Sequence, residues 1–405
     1  MRPQLALTFV LGTVFIDMIG FGIIMPVLPG LLIELTGDSL GGASIWGGWL
    51  LFSYAILQFV FAPVLGNLSD RYGRRPILLI ALFVYAINYL LMGFASTIFW
   101  LFVGRILTGI SGSTYTIANA YIADVSKPEE RAQNFGLVGM ALGLGFIFGP
   151  VIGGFLGEYG TRVPFIAASV LAICNMIYGY FVLPETLAKE NRRNFDVKRA
   201  NPVGALMQLR KLPVLAGLSI AVLLFQIGHH VYPATWSFYV IEKFSWGKSE
   251  VGYSLGFVGL LMAIVQGGLI RIVIPRIGEY RAAVFGFSAM TIAYIGLGTA
   301  SSGVEIYAWC VVSALGGFAM PAIQGIMSNQ VPQNQQGELQ GIIASLGSLG
   351  AIFGPLLMTQ LFAHFTEPDN YYFPGAPFVA AGVLTIFAGF AVVRGFRILS
   401  ASQTS

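Results

Sequence analysis

Two ionisable side chains lie deep inside long apolar stretches of this sequence. Asp17 is in the first apolar stretch and Arg105 is in the fourth. A charge at such a depth costs several kcal/mol unless it faces water or an opposite charge, so it usually marks an ion or substrate pathway. A carboxylate at position 17 could take up a proton from one side and lose it when water or Arg105 becomes available. A purely structural interhelix hydrogen bond is the alternative role for Arg105.

The seventh apolar stretch contains two adjacent histidines. Gln226 and His230 are four residues apart and share one helix face, whereas His229 points about 100° away. Histidine titrates near neutrality, so it could carry a proton or hydrogen-bond a polar ligand. We expect at most one of the two to be central in a cavity and favour His230, with a buried, merely hydrogen-bonded histidine as the alternative.

The composition indicates the kind of element that must hold these groups. Of the 405 residues, 56% are hydrophobic and only 10% are charged, which excludes a water-soluble globule. Apolar runs of about 20 residues are typical of membrane-spanning helices rather than barrel strands. The chain is therefore predicted to be an all-α membrane protein with about 12 transmembrane helices. They are expected near residues 5–28, 45–65, 76–94, 98–120, 135–156, 163–183, 214–241, 249–273, 281–299, 306–328, 339–362 and 378–393.

The longest polar stretch divides the chain into two halves. It predicts an N-terminal six-helix bundle over residues 1–183, a linker over 184–212, and a C-terminal six-helix bundle over 213–405. Placing both termini in the cytoplasm puts most of the 22 basic residues on the cytoplasmic side, as the positive-inside rule requires. The net charge of +4 is thereby a topology signal, and no nucleic-acid partner is expected.

The two halves also repeat each other. Gly136 corresponds to Gly341, and the sequence Ile-Phe-Gly-Pro at 147–150 recurs at 352–355. Two pseudo-symmetric bundles related by a parallel repeat are typical of secondary transporters of the major facilitator type. The expected fold is therefore the major facilitator fold.

The turn after the second span strengthens this resemblance. Residues 66–76 resemble the cytoplasmic signature GxxSDRxGRRP of the major facilitator superfamily. Its glycines permit a tight turn, and one acid among three bases could form a latch that stabilises one conformer. The resemblance implies that Asp70 meets the N-terminus of the eleventh helix and that Arg74 pairs with an acid ending the fourth span, for which Asp124 is well placed. The latch set is Gly66, Asp70, Arg71, Gly73, Arg74, Arg75 and Asp124.

Four further segments resemble transporters of this superfamily, particularly its drug/proton antiporters. Residues 17–29 are similar to the DxxGxGxxxPxLP opening of that group, particularly of the tetracycline-efflux transporters. The fifth span resembles the antiporter signature GxxxGPxxGG, which implies export, and Arg105 with Gly109 resembles the RxxxG motif, which implies proton coupling. The seventh span resembles that of the tetracycline group, where a glutamine stands at the place of His230. The antiporter-helix residues are Gly145, Gly149, Pro150, Gly153 and Gly154.

A substrate cavity is expected from the polar and aromatic side chains within the spans. The predicted lining residues are Gln58, Asn119, Gln226, His230, Trp236, Gln266 and Gln324. The sequence contains no P-loop, zinc-ligand spacing or nucleophile elbow. Neither a metal, a cofactor nor enzymatic chemistry is therefore expected.

These observations predict a proton-coupled secondary antiporter that exports tetracycline-like or other amphipathic drugs by alternating access. Asp17, Arg105 and His230 are the predicted proton-coupling residues. The expected location is the bacterial inner (cytoplasmic) membrane, and the expected partners are a small-molecule drug, protons and the lipid bilayer, with the protein as a monomer. A proton-linked metabolite carrier of the same fold is the alternative, and a membrane sensor or integral enzyme would require a catalytic cluster.

Overall fold

The chain is a multi-pass helical membrane protein. A computed structural model describes residues 3–112, 114–126, 131–193, 215–332 and 335–404, and their regular secondary structure is helical throughout. The α-helices are α1 (Pro3–Ile24), α2 (Leu28–Thr36), α3 (Leu40–Tyr72), α4 (Arg74–Phe94), α5 (Ile98–Ser111), α6 (Thr114–Val125), α7 (Arg131–Glu158), α8 (Val163–Val182), α9 (Ala216–His229), α10 (Val231–Phe244), α11 (Lys248–Ile264), α12 (Ile270–Ile277), α13 (Glu279–Thr299), α14 (Gly303–Leu315), α15 (Ala319–Ser328), α16 (Gln336–His364) and α17 (Ala376–Thr404).

Within the described part of the chain, ten helical stretches are long and apolar enough to cross a membrane. Two of the predicted spans are instead broken: the fourth into α5 and α6, and the seventh into α9 and α10. Many large apolar side chains are exposed, for example Phe94 (68%) and Phe181 (75%), as expected for surfaces that face lipid. The prediction of a polytopic helical membrane protein is confirmed, while the count of twelve spans stays a prediction.

The break in the seventh predicted span has a local cause. Helix α9 ends at His229 and α10 begins at Val231, with Pro233 in its first turn. A proline ring clashes with the carbonyl four residues earlier, here that of His229, and has no N–H to donate to it. The same ring is tolerated in the first turn of a new helix, so the chain restarts at Val231.

A second irregularity lies between α11 and α12. Residues Val265–Leu269 form a π-helical turn that contains Gln266 and two glycines. Single π turns inside longer helices often occur at functional sites. The turn displaces the helical register that a straight eighth span would have had.

The described chain forms two compact units. The first comprises the described residues within 1–37, 53–202 and 247–259, and the second comprises those within 38–52, 203–246 and 260–405. The core of the first includes Phe9, Val14, Leu78 and Tyr121, all buried. The predicted bundle boundaries at 183 and 213 remain a prediction.

The core of the second unit contains a cluster of aromatic rings. Tyr232, Trp236, Tyr239 and Phe378 pack with ring centroids 4.8 to 6.0 Å apart. Trp236 and Tyr239 have no exposed surface. This cluster connects α10 with the first turn of α17.

Candidate functional site

A group of polar side chains lies inside the first unit, around the predicted Asp17 and Arg105. The hydroxyl of Tyr54 on α3 lies 3.4 Å from that of Tyr85 on α4. Gln58 donates from Nε2 to the Tyr54 hydroxyl at 2.9 Å and to the Gly112 carbonyl at 2.7 Å. Polar groups of α3, α4 and the C-terminal end of α5 thus meet in a common region.

Both predicted charges act on the tyrosines of this region. Asp17 and Arg105 each interact electrostatically with Tyr54 and with Tyr89. Asp17 is half-buried and has interactions of its own, so it is not an isolated charge. The Tyr85 and Tyr89 rings have centroids 6.3 Å apart on one face of α4. Tyr85 and Tyr89 were not predicted, although their spacing of four residues on an apolar helix was a usable signal.

Arg105 is the most deeply placed cation of the group. Only 8% of its surface is exposed, and among the described residues its Nε has no hydrogen-bond partner. Next to it, a Cβ on Gly104 would lie 2.5 Å from Asn88 Oδ1, for which the described part of the chain likewise supplies no hydrogen-bond partner. A buried cation without a full set of acceptors is costly to hold, which favours a functional role for it.

Helix α7 approaches α1 closely through its glycines. A Cβ on Gly145 would lie 2.8 Å from the Phe15 carbonyl oxygen, and one on Gly149 would lie 2.8 Å from that of Ile19. Gly153 faces Ile23 in the same way. Glycines spaced by four residues therefore let the two backbones touch along about two turns, just beside Asp17.

The remaining antiporter-helix residues complete this packing. The Pro150 ring lies against Gly22, whose added Cβ would come within 2.6 Å of Pro150 Cδ. Gly154 instead faces the start of α11, at Lys248 and Ser249, which belong to the same unit. By contrast, Gly139 has open space around it, so close approach is confined to one side of α7.

The signature turn between α3 and α4 is tied together by Arg74. Its Nη1 donates to Asp70 Oδ1 at 2.5 Å and to Ser69 Oγ at 2.7 Å, and its Nε donates to Asp124 Oδ2 at 3.2 Å. The Arg74–Asp124 ion pair implied by the family resemblance is thus present. Gly73 adopts φ of +106°, a backbone conformation that favours glycine.

The other residues of the signature turn have separate contacts. Arg75 donates from Nη2 to the Tyr180 carbonyl at 2.7 Å, and the Arg71 guanidinium lies 5.2 Å from the Tyr72 ring centroid. Gly66 has no neighbour within 4 Å of an added Cβ. The expected contact of Asp70 with the eleventh helix, and the role of the set as a latch, stay predictions.

Glu185 is an unpredicted member of this cluster. Its Oε1 accepts from the backbone N–H of Arg74 at 2.9 Å, and its Oε2 accepts from that of Arg75 at 3.3 Å. It also accepts from the N–H groups of Thr186 and Leu187, both at 3.0 Å. Glu185 therefore satisfies the free donors at the start of α4 and holds the beginning of the linker there.

The structure separates the two histidines of the second unit. His230 Nδ1 lies 2.7 Å from the Gln226 carbonyl oxygen. A Cβ on Gly354 of α16 would lie 2.6 Å from His230 Cβ, and Gly350 faces Gln226 in the same way. Gln226 and His230 therefore lie on one face, against one helix.

His229 lies in a different, aromatic environment. Its ring stacks on Phe225 at 5.6 Å between centroids with 12° between planes, and its Nδ1 lies 3.4 Å from the Tyr294 hydroxyl. The Tyr232 ring packs edge-on against it, with 5.6 Å between ring centroids. The assignment of His230 to the substrate cavity stays a prediction.

The other predicted cavity residues differ in exposure. Trp236 is fully buried in the aromatic cluster. Gln266 is exposed on the π-helical turn, with Nε2 3.9 Å from Met262 Sδ. Asn119 and Gln324 are both half-buried. Their assignment to a cavity remains a prediction.

The chain resembles characterised transporters over most of its length. Residues 10–355 match the family described as Major Facilitator Superfamily. The chain is 40% identical to "Tetracycline resistance protein, class C" of Escherichia coli, covering 90% of this chain and 91% of that protein. It is 27% identical to "Multidrug resistance protein 2" of Bacillus subtilis (strain 168), covering 96% and 92%.

Solved structures share its fold. The nucleoside transporter NupG superimposes with a TM-score of 0.79 at 14% identity, covering 98% of this chain and 99% of that one. A D-xylose-proton symporter superimposes with a TM-score of 0.73 at 16% identity, covering 96% of each chain. At such identities the likeness concerns the fold alone.

Proposed function

The chain belongs to the major facilitator superfamily, and on that premise we propose that it exports tetracycline-like or other amphipathic drugs in exchange for protons, by alternating access. The observation that carries this proposal is the 40% identity to "Tetracycline resistance protein, class C" over nine-tenths of the chain. Five further relatives at 34 to 38% identity carry the same kind of name. The family and these relatives are transporters rather than enzymes.

Asp17 is the proposed proton carrier. It is half-buried on α1, beside the tyrosines of α3 and α4, and α7 packs directly against its helix. A carboxylate in that position can be neutral while the site faces one side of the membrane and charged while it faces the other. Exchange of drug for proton follows if drug binding and the protonated state exclude each other.

Arg105 is the proposed regulator of proton release. Its guanidinium is buried and incompletely hydrogen-bonded, and it acts on the same tyrosines as Asp17. A cation there stabilises the ionised carboxylate and lowers the cost of giving the proton away. His230, in the second unit, is proposed as a further proton-coupling or drug-binding residue.

The conformational latch is proposed for the Arg74 cluster. Its two ion pairs and the Glu185 carboxylate link α3, α4, α6 and the start of the linker. Breaking such a set changes the relative stability of conformers rather than the affinity of either for drug. We propose that both termini and this cluster lie on the cytoplasmic side of the inner membrane. We also propose that the two helix bundles comprise residues 1–183 and 213–405 and that the protein is a monomer.

Proton flux in proteoliposomes tests the function. The liposomes contain a luminal pH dye, and tetracycline is added under an imposed pH gradient to the unmodified protein and to Asp17→Asn. The matched control is Asp369→Asn, which removes the same charge from an exposed loop. Melting temperature and size-exclusion profile establish that both variants are folded.

Drug-dependent flux that is lost in Asp17→Asn and retained in Asp369→Asn is the expected result. Drug-dependent proton flux that persists in Asp17→Asn would show that Asp17 is not the proton carrier. No flux with any of a panel of amphipathic drugs, together with saturable uptake of a sugar or acid, would replace drug export by the metabolite carrier.

A further inference from the structure

The second unit carries an apolar groove on its surface between α13 and α17. It has a volume of about 320 Å³ and runs from Val284 to Ile292 on α13 and from Thr385 to Val393 on α17. Gly389 leaves it open, since a Cβ there would lie 3.7 Å from Phe287 Cβ and meet nothing nearer. One wall is formed by Phe390, which is 68% exposed.

The dimensions of the groove suit an extended hydrocarbon chain. Eight residues of helix at about 1.5 Å each give it a length of about 12 Å. Half of a bilayer core of roughly 30 Å is about 15 Å, so the groove is close to one leaflet deep. Its lining is almost entirely carbon, with the hydroxyls of Ser288, Thr291 and Thr385 among it.

Three exposed arginines lie at one end of the groove, Arg281 on α13 and Arg394 and Arg397 on α17. Arg281 is one turn before Val284 on α13, and Arg397 is one turn after Val393 on α17, so each continues the face that lines the groove. Beyond the groove the helices remain in contact, because Tyr280 stacks on Phe396 with centroids 4.1 Å apart and 23° between planes. These cations therefore emerge at the same end.

Glu279, the acidic residue two positions before Arg281, has its own hydrogen-bond partner. Glu279 accepts a hydrogen bond from Asn329 Nδ2 at 3.0 Å and faces Gly325, which places its carboxylate toward α15. Neither Arg281 nor Arg397 has an ion pair with a carboxylate among the described residues. A positive patch next to an apolar groove of this depth complements an anionic lipid.

We propose that this groove holds one acyl chain of an anionic glycerophospholipid, whose phosphate binds Arg281 and Arg397. The lipid comes from the cytoplasmic leaflet, a choice that rests on the orientation proposed above. Long arginine side chains reach the interface from a helix end, so the head group stays in the polar region while its chain enters the groove.

Native mass spectrometry tests the proposal. The full chain is purified in detergent and mixed with phosphatidylglycerol or phosphatidylcholine of identical acyl chains, and the bound fraction of each lipid is measured. We expect several-fold preference for phosphatidylglycerol, which falls to parity in Arg281→Gln/Arg397→Gln. The matched control is Arg193→Gln/Arg271→Gln, which removes two exposed arginines away from the groove.

Groove-filling variants test the acyl chain separately. Gly389→Leu is expected to reduce retention of both lipids several-fold, and Ser288→Leu, at an exposed position on the opposite helix, does the same if the first variant fails to fold. Equal binding of both lipids to the unmodified protein, an equal loss in the control pair, or full retention in folded groove-filling variants would each overturn the proposal. Lipid binding is measured without any transport assay. A failure of the drug-flux experiment is therefore distinguishable from a failure of the lipid proposal.

Discussion

Replacing Glu185 by alanine should loosen the start of α4. The Glu185 carboxylate accepts from the backbone N–H groups of Arg74 and Arg75, the first residues of that helix. A hydrogen bond to a charged group contributes about 1.5–3 kcal/mol, but Glu185 is exposed, so we take about 1 kcal/mol for each of these two. The expected local destabilisation is therefore about 2 kcal/mol, within the range measured for loss of a helix cap.

Hydrogen exchange measures this effect at the affected amides. A loss of about 2 kcal/mol corresponds to roughly 30-fold faster exchange of the first amides of α4, since about 1.4 kcal/mol is a factor of ten. Glu185→Gln keeps an acceptor oxygen without the charge, so it should show an intermediate acceleration. The matched control is Glu190→Ala, an exposed acid of the same linker segment.

Two results would refute this account of Glu185. One is unchanged exchange of the Arg74, Arg75 and Ile77 amides in Glu185→Ala. The other is an acceleration of the same size in Glu190→Ala, which would mean that the negative charge of the linker matters rather than its hydrogen bonds.

Three further perturbations test other contacts. Gly149→Ala should lower the melting temperature in detergent, because its Cβ would lie 2.8 Å from a backbone oxygen of α1. Such overpacking typically destabilises a protein by about 1–3 kcal/mol. Gly139→Ala, which points into open space, should be neutral or slightly stabilising. Gly73→Ala should cost about 1–2 kcal/mol because φ is +106° there, read as faster hydrogen exchange across the signature turn. Arg74→Lys should slow transport in proteoliposomes several-fold with little change in drug affinity, because lysine keeps the charge but cannot hold three acceptors in fixed geometry.

Each of these expectations has a contrary result. Equal melting temperatures for the two α7 variants would mean that α1 and α7 are not in rigid contact. Unchanged hydrogen exchange across the signature turn in Gly73→Ala would mean that the positive φ at this position does not require glycine. Weaker drug binding at an unchanged transport rate in Arg74→Lys would place the cluster in the binding step rather than in the conformational one.

The parts of the structure that sequence could predict are those governed by local spacing. Apolar length alone identifies the spans, because lipid accepts only backbones whose hydrogen bonds are closed within the segment. The glycines at 145, 149 and 153 repeat every four residues, and that period places them on one helix face, where they do meet α1. Gln226 and His230 share a face for the same reason.

The helix breaks were only partly accessible from sequence. Pro233 in the seventh stretch was visible, yet a proline inside a membrane helix can also produce a kink without an end. Whether the chain restarts as a new helix depends on what satisfies the free carbonyls. The fifth span contains Pro150 and continues unbroken through it.

What sequence alone determined is the class of the protein, most of its apolar spans and the charged residues that lie in apolar stretches, since length, period and polarity are properties of each segment by itself. Only the tertiary structure placed Glu185 on the first amides of α4, gathered Tyr85 and Tyr89 around Asp17 and Arg105, and put His229 among aromatic rings. Those contacts join residues far apart in the chain, and their partners follow from how helices pack in space, which no local pattern encodes.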